Sequence, residues 1–349
     1  NTFSNDVASV VENENSLETQ NYHFEAGSFS DTTTFDGTVI MTLAAADHNG
    51  SYAKNDESLK FQYMWQGNLK TSFTGDDELY VRLKTGNPSG DWTVTEEQGG
   101  YLVSSKGNSD DIKVDKIWYS FPVGEKTTVW IGPEIENYYM HATTPSIYSP
   151  TMKQFTLGGN ASAYGASTNS GFGIAYNADN GFAISTNVVS KTTNSTPGFL
   201  TNEAETSWAT QIGYTQPQYS VSAIVNMKYN GWSDSYFGTT NGIARSGNST
   251  NVGIRAWWRP TDTGTGVPSI SLGYDTSEID GATASANSTD MFFVGLNWED
   301  MFQADDKIGI ALGQPQTNEN DTVDPFSYEA YYQYSINDAT KLRLSLIHI

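Results

Sequence analysis

The sequence predicts an all-β protein, a transmembrane antiparallel up-and-down β-barrel, on three observations. Strand-length runs alternate between apolar and polar residues, such runs recur along the whole chain, and their connections are alternately short and long. No apolar run approaches the ~18 residues of a transmembrane helix, so a membrane location would require a closed barrel.

The strongest run is Leu59 to Phe73. Leu59, Phe61, Tyr63, Trp65, Leu69 and Phe73 alternate there with Lys60, Gln62, Met64, Gln66, Asn68, Lys70 and Ser72. At about 3.3 Å per residue this stripe is longer than an ordinary globular strand and suits a tilted bilayer crossing. In chain order the alternation predicts strands over Thr34 to Ala45, Leu59 to Phe73, Leu79 to Thr85, Val114 to Phe121 and, most weakly, Thr128 to Ile131. It continues with Gly171 to Tyr176, Phe182 to Val189, Trp208 to Tyr214, Tyr219 to Asn230 and Val252 to Arg259. Pro268 to Tyr274, Phe292 to Trp298, Ile308 to Leu312 and Phe326 to Ile336 follow, and then one truncated run. Hairpin chemistry marks short links at Thr74 to Asp77, Pro122 to Glu125, Ala178 to Gly181 and Thr215 to Gln218. Long polar stretches run Asp47 to Ser58, Gly86 to Ile112, Glu134 to Ser170, Ser190 to Thr206, Gly231 to Ser249, Thr276 to Met291 and Gln314 to Pro325. Each begins where an odd-numbered strand ends, the one-sided loop sorting of an outer-membrane barrel.

The bulk composition agrees. The 349 residues include 32 Gly and 13% aromatics, with a mean hydropathy of -0.47, which favours strands and turns over helices. Cysteine is absent, which removes disulfides, thiolate metal sites and cysteine catalysis. A formal charge of -22 argues against nucleic acid as a partner, because phosphates recruit Lys and Arg. It is equally the charge of an acidic, solvated surface.

Residues 1–29 stand apart as a linker. Val7, Val10, Val11 and Leu17 are spaced for a weak amphipathic helix over Asp6 to Glu18, the alternative being a tail. The first residue, Asn1, predicts a processed, cut or fragmentary start. The barrel domain is assigned to 30–349. Within it Leu344 to Ile349 departs from the strand pattern and matches the translation of a common sequencing adapter, so this end is expected to be foreign and the last strands missing.

Several segments resemble a known family. Phe24-Glu-Ala-Gly-Ser-Phe-Ser-Asp-Thr-Thr-Thr-Phe35, followed by Gly37 and a β run, resembles the barrel start of cyanobacterial outer-membrane porins of the carbohydrate-selective (OprB-like) family, the SOM-type or iron-uptake porins. Ile117-Trp-Tyr-Ser-Phe-Pro-Val-Gly-Glu125 and Ile131-Gly-Pro133 resemble its fourth and fifth strands. Trp257-Trp-Arg-Pro260 and Val267 to Tyr274 resemble a central hairpin, and Gly295 to Trp298, Gly309 to Pro315 and Tyr328 to Tyr332 the late strands. The resemblance covers roughly residues 20 to 340 and implies about sixteen strands. It also implies outer-membrane lipid as surroundings, small hydrophilic solutes as cargo, and peptidoglycan or a related wall polymer as a partner through an upstream domain; it allows a homotrimer.

Outward side chains of such a barrel must be apolar, with Tyr and Trp at the interfaces. Tyr63, Trp65, Trp208, Tyr214, Trp258 and Trp298, helped by Tyr119, Tyr176, Tyr274, Tyr328, Tyr332 and Tyr334, supply this girdle, a sandwich core being the alternative. Lys60, Lys70, Arg82, Lys84, Lys228, Arg255 and Arg259 fall on strand positions assigned to the lumen, the alternative being snorkelling at the rim. The longest stretch follows the fifth strand, where porins of this design fold a loop inward. It would bring Glu134, Glu136, Tyr138, Tyr139, His141 and Lys153 to a constriction, setting acid on the loop against base on the wall.

Nothing points to catalysis. Only His23, His48, His141 and His348 occur, without metal-ligand spacing, and no Ser has a nucleophile-elbow context. Asp76-Asp77 and Asp305-Asp306 read as solvated turns rather than metal sites, and no cofactor is expected. Two function classes follow: a passive porin for small hydrophilic solutes, carbohydrates or inorganic ions including iron, and a secreted β-rich adhesin or surface-layer protein without a pore.

Overall fold

Backbone groups in a β-strand need a neighbouring strand, and short turns rich in Gly, Asn, Asp and Pro bring that neighbour from the next stretch of chain. A computed structural model describes residues 32–47, 57–90, 92–94, 101–165, 167–191, 198–234, 238–282, 287–322 and 325–349. Its strands are β1 (Thr33–Ala44), β2 (Lys60–Thr71), β3 (Glu78–Gly86), β4 (Lys113–Pro122), β5 (Thr127–Glu136), β6 (Thr168–Asn177), β7 (Phe182–Ser190) and β8 (Thr206–Gln216). They continue as β9 (Tyr219–Tyr229), β10 (Ser249–Trp258), β11 (Ser269–Ile279), β12 (Ser288–Glu299), β13 (Lys307–Asn318), β14 (Ser327–Asn337) and β15 (Thr340–His348). All fifteen form one antiparallel up-and-down sheet in sequence order. The long connections follow the odd-numbered strands, as the sequence predicts. The linker 1–29, with its helix candidate, lies outside the described residues.

Register confirms the two-faced strands. Phe61, Tyr63 and Trp65 of β2 stand opposite Leu43, Met41 and Val39 of β1, while Gln62, Met64 and Gln66 stand opposite Thr42, Ile40 and Thr38. The outer face carries exposed apolar residues on strand after strand: Phe61, Ile131, Phe172, Ile212, Val221, Ile254, Leu272, Ile310 and Leu344. The inner face of β7 to β12 is polar and buried, with Ser185, Asn187, Gln211, Ser222, Asn226, Asn251, Ser271 and Asn297. This distribution is the reverse of a water-soluble domain, which buries its apolar side chains. A bilayer is the solvent that fits it.

Several boundaries depart from expectation; β11 runs on to Ile279 and β12 starts at Ser288, and three others change the reading of the chain. β5 continues to Glu136, so Glu134 and Glu136 belong to the wall and the loop starts at Asn137. Irregularities on both sides, at Ile117/Tyr119 and at Gly132/Ile135, absorb Pro133, which has no N–H to give a ladder. β13 runs on through the polar Gly313 to Asn318. The break expected at Leu344 to Ile349 does not occur, because β15 pairs with β14 as far as His348 and Leu342, Leu344 and Leu346 extend the outer face. β1 and β15 run in the same direction and, among the described residues, do not pair.

The apolar core lies on the concave side of the sheet. Tyr148, Met152 and Phe155, from the segment between β5 and β6, pack with Met291, Phe293, Ala311 and Tyr331 of the late strands. Tyr80, Trp118, Ile135, Met140, Val189 and Trp232 form a second cluster.

Candidate functional site

The segment 137–167 is the element around which the interior is built. A chain crossing a barrel has no strand to pair with, so its backbone groups must find side-chain partners. The inner face supplies them strand by strand. The amide of Ala142 donates to Ser185 Oγ at 3.0 Å, that of Thr143 to Gln211 Oε1 at 2.9 Å, and the Trp257 indole N–H to the carbonyl of Thr144 at 3.0 Å. Further along, Ile147 donates to Ser271 Oγ at 3.1 Å and Ser149 to Asn297 Oδ1 at 3.2 Å. The buried Glu329 of β14 then takes three donors: the Tyr148 hydroxyl at 2.8 Å and the amides of Thr151 and Met152 at 3.0 and 2.7 Å. On its return the loop is held by Gln316, which accepts from the Ser162 amide at 2.8 Å, and by Asn226, which donates to the carbonyl of Ala163 at 3.2 Å.

Small residues make the approach close. A Cβ at Gly273 of β11 would lie 1.7 Å from the carbonyl oxygen of Gly158, so only glycine lets the loop backbone rest on the sheet there. A second inserted segment meets the first: the amide of Val103 donates to Thr151 O at 2.9 Å, and that of Lys153 to Tyr101 O at 2.7 Å. Thr93 and Ser105 donate to Gln62 Oε1 at 3.0 and 3.1 Å, which ties this segment to β2.

The residues assigned to the lumen fall into three groups. Lys60, Lys70, Arg82 and Lys84 face inward in register on β2 and β3. Lys70 pairs with Asp36 at 2.6 Å. Arg82 Nε donates to Asp115 Oδ2 at 2.6 Å and Lys84 to Asp115 Oδ1 at 2.9 Å. Lys228 and Arg255 also face inward but are fully buried, paired with Asp234 and Asp275. Arg255 holds the loop: it donates to the carbonyls of Leu157 at 2.9 Å and Gly159 at 2.6 Å, with its guanidinium 4.4 Å from the centre of the Tyr164 ring. These two cations therefore serve the loop and present no free charge to a solute. Arg259 stands past the end of β10 at the short-turn rim. It donates to Pro217 O at 2.7 Å and borders an open cavity of about 660 Å³ with Thr144, Ile147 and Trp257.

The constriction candidates separate as well. Glu134 is opposite Ile117, on the outer side of the wall. Glu136 is buried on the inner side, 3.6 Å from Arg82 and 3.8 Å from Lys116, and accepts from the Tyr138 hydroxyl at 2.5 Å. The Tyr139 hydroxyl accepts from Arg82 at 2.9 Å. His141, within the loop, packs against Asn187 and Tyr164, and burial lowers its pKa to about 3, so its ring is neutral and does not join a charged ring. Lys153 stands at the junction with the second inserted segment, beside Lys106.

The girdle residues are outward-facing and sort to two levels. Tyr63, which donates to Asp110 at 2.7 Å, and Trp208 lie toward the long loops, with Trp65 one outward position deeper. Tyr214, Trp258 and Trp298 lie toward the short turns, where the Trp298 indole donates to Gly266 O at 3.0 Å. Asp115, Lys116, Glu329, Asp275, Asp234, Lys106 and Arg343 were not singled out by sequence reasoning. Glu329 and Asp275 carried a usable signal, an acid on the inner parity of a strand; Asp234 and Lys106, in loops, carried none.

No family model matches the chain. A curated relative, an uncharacterized protein of Nostoc sp. (strain PCC 7120), is 25% identical over 99% of this chain, which spans 66% of that protein's length. Among solved structures, OprB of Pseudomonas putida superposes with a TM-score of 0.62 at 13% identity, over 94% of this chain and 90% of that one. A mutant Rh. blastica porin gives 0.55 at 11% identity over 90% and 94%. OmpT of Vibrio cholerae, solved in its trimer form, gives 0.51 at 14% identity over 91% and 89%. The fold is therefore that of the porin β-barrels.

Proposed function

We propose that this chain is an outer-membrane porin, a non-enzymatic, water-filled channel through which small hydrophilic solutes diffuse passively. The observation that carries the reading is the reversed polarity of the sheet, apolar outside and polar inside, combined with a loop held within the barrel by inner-face side chains. An adhesin or surface-layer protein needs an accessible binding face and gains nothing from filling its own interior with a loop. The sequence resemblance and the OprB-like fold support a place among the cyanobacterial carbohydrate-selective porins, with sugars or inorganic ions, iron included, as solutes. The trimeric state in which OmpT was solved supports a homotrimer here, and the greater length of the Nostoc relative leaves room for a wall-binding domain.

In this reading the constriction lies where the two inserted segments meet, beside Arg82, Lys84, Glu136 and Lys153, with Arg255, Lys228 and Glu329 as its anchors. Reconstitution of the refolded protein into planar bilayers, together with a heat-modifiable gel shift, tests it. Discrete conductance steps and a mobility change on boiling are expected, and a folded protein giving neither would refute the channel.

A further inference from the structure

Charge is unevenly divided around the neck. Five cations, Arg82, Lys84, Lys106, Lys116 and Lys153, gather there about two inner carboxylates, Asp115 and Glu136. Glu134, within electrostatic range of Lys116, lies on the outer side of the wall. Asp115 is shared by Arg82, Lys84 and Lys116, and Glu136 is shared between Arg82, Lys116 and the Tyr138 hydroxyl. Lys106 and Lys153 share only the field of Glu136 with these other cations. Their ammonium groups are within hydrogen-bonding reach of each other, and among the described residues neither forms an ion pair. Both side chains are half-buried.

Two like charges set side by side in a chain of net charge -22 need an explanation. Bringing them together costs Coulomb energy, which grows as water is excluded. An anion seated between them would reverse the sign of that cost and satisfy six N–H donors, three on each lysine. Repulsion from Lys153, added to burial, holds Lys106 below the ordinary lysine range, and burial does the same to Lys153. Lysine presents a compact point charge with freely rotating donors, which suits a tetrahedral oxyanion better than a planar carboxylate.

We infer that Lys106 and Lys153, backed by Lys84, form a binding site for a small multivalent oxyanion of the phosphate or sulfate class at the neck of the barrel. The inference rests on the channel reading for its role in passage but not for the existence of the site. Such a site would act as a stepping point, raising the local concentration of the anion where the passage is narrowest.

The test measures chloride conductance of the reconstituted full chain while inorganic phosphate or sulfate is added at constant ionic strength. Both anions should reduce chloride current at concentrations where added chloride does not. In the double variant Lys106→Gln, Lys153→Gln the concentration needed should rise at least about tenfold, since two charge-assisted contacts are lost. Lys126→Gln, on a short turn and paired with Asp179, should behave as the parent. No block in the parent, or full block in the double variant, would overturn the assignment. If the parent folds by gel shift but gives no current, the channel reading fails instead. Calorimetric titration of the detergent-solubilised parent with phosphate then decides the site: binding lost in the double variant upholds it, and no binding by the parent refutes it.

Discussion

A single charge placed on the outer face separates a membrane barrel from a soluble sheet of the same shape. Ile254 is the sixth residue of β10, outward-facing, 54% exposed, and flanked in register by Ala223 and Tyr274. If water bathed that face, Ile254→Arg would replace an exposed hydrophobe with a solvated cation and change stability by no more than about 0.5 kcal/mol. In a bilayer the same change costs about 2–4 kcal/mol near the midplane. Snorkelling gives little relief, because Trp258 at the short-turn girdle is four residues away, about 13 Å along the strand at about 3.3 Å per residue. Urea unfolding in lipid vesicles, followed by tryptophan fluorescence, measures the difference. Arginine at Phe61 or Tyr63, at the long-loop end of β2, should cost less, about 0–1 kcal/mol as at an interface. Gln62 is a poor inner-face comparison, since it accepts from Thr93 and Ser105; Thr38, inward-facing and exposed on β1, is a sound one. Equal stability of the Ile254→Arg and Thr38→Arg variants would refute the assignment of the outer face to lipid.

Three further outcomes are expected. His141 is held neutral with a pKa of about 3 in the folded state, whereas unfolded histidine titrates near 6.5; the unfolded chain therefore binds more protons below pH 6.5, and stability falls as pH falls. Between pH 7 and 5 this group should remove about 2 kcal/mol, and an unfolding midpoint with the same pH slope in His141→Gln would refute it. Glu329→Ala strands the donors of Tyr148, Thr151 and Met152, so hydrogen exchange at the Met152 amide should quicken by at least about tenfold; unchanged protection would remove Glu329 as an anchor. Loop carboxylates are screened beyond about 8 Å at physiological salt whereas charges in a narrow neck are not, so reversal potentials should move from cation toward anion preference as salt rises; strong cation preference at every salt would place the neck lysines outside the path.

The strands were legible because a two-solvent surface forces a period of two, and β2 shows it in full from Lys60 to Thr71. In sequence the fifth strand ends at Ile131 because Gly132 and Pro133 look like a terminus, and only the irregular pairing on both sides shows the strand bending and continuing. Parity assigns Arg255 to the inner face but does not disclose its task. Its carboxylate partner, Asp275, is opposite Gly253, so the two meet diagonally across a register that only the assembled hairpin defines. The loop's length raises the expectation of an inward fold, but nothing in the sequence marks its anchors. Ser185, Gln211, Ser271 and Asn297 are ordinary polar inner-face residues until a backbone arrives that needs them.

The acidic excess itself has a structural share at the short-turn rim. Asp77 accepts from the Ser72 hydroxyl and from the amides of Phe73 and Thr74 at 2.7–2.9 Å, and Tyr119, from β4, donates to its second oxygen at 2.6 Å. Asp306 repeats the arrangement far along the chain: it accepts from the amides of Met301 and Phe302 at 2.8 and 3.0 Å and from the hydroxyl of Tyr332, on β14, at 3.0 Å. In both, a carboxylate at the end of the turn gathers its amides while a tyrosine from a neighbouring strand reaches it from the outer face. The hydroxyl of Tyr119 and the turn donors hold the Asp77 carboxyl well below the ordinary carboxylate range. A girdle tyrosine needs a polar end beside an apolar body, and a turn needs its amides bonded; one aspartate meets both needs. The two requirements of a barrel rim are thus met by the same residue type, which explains acid at these turns without reference to any solute and leaves the cationic neck as the charge feature that calls for a functional reading.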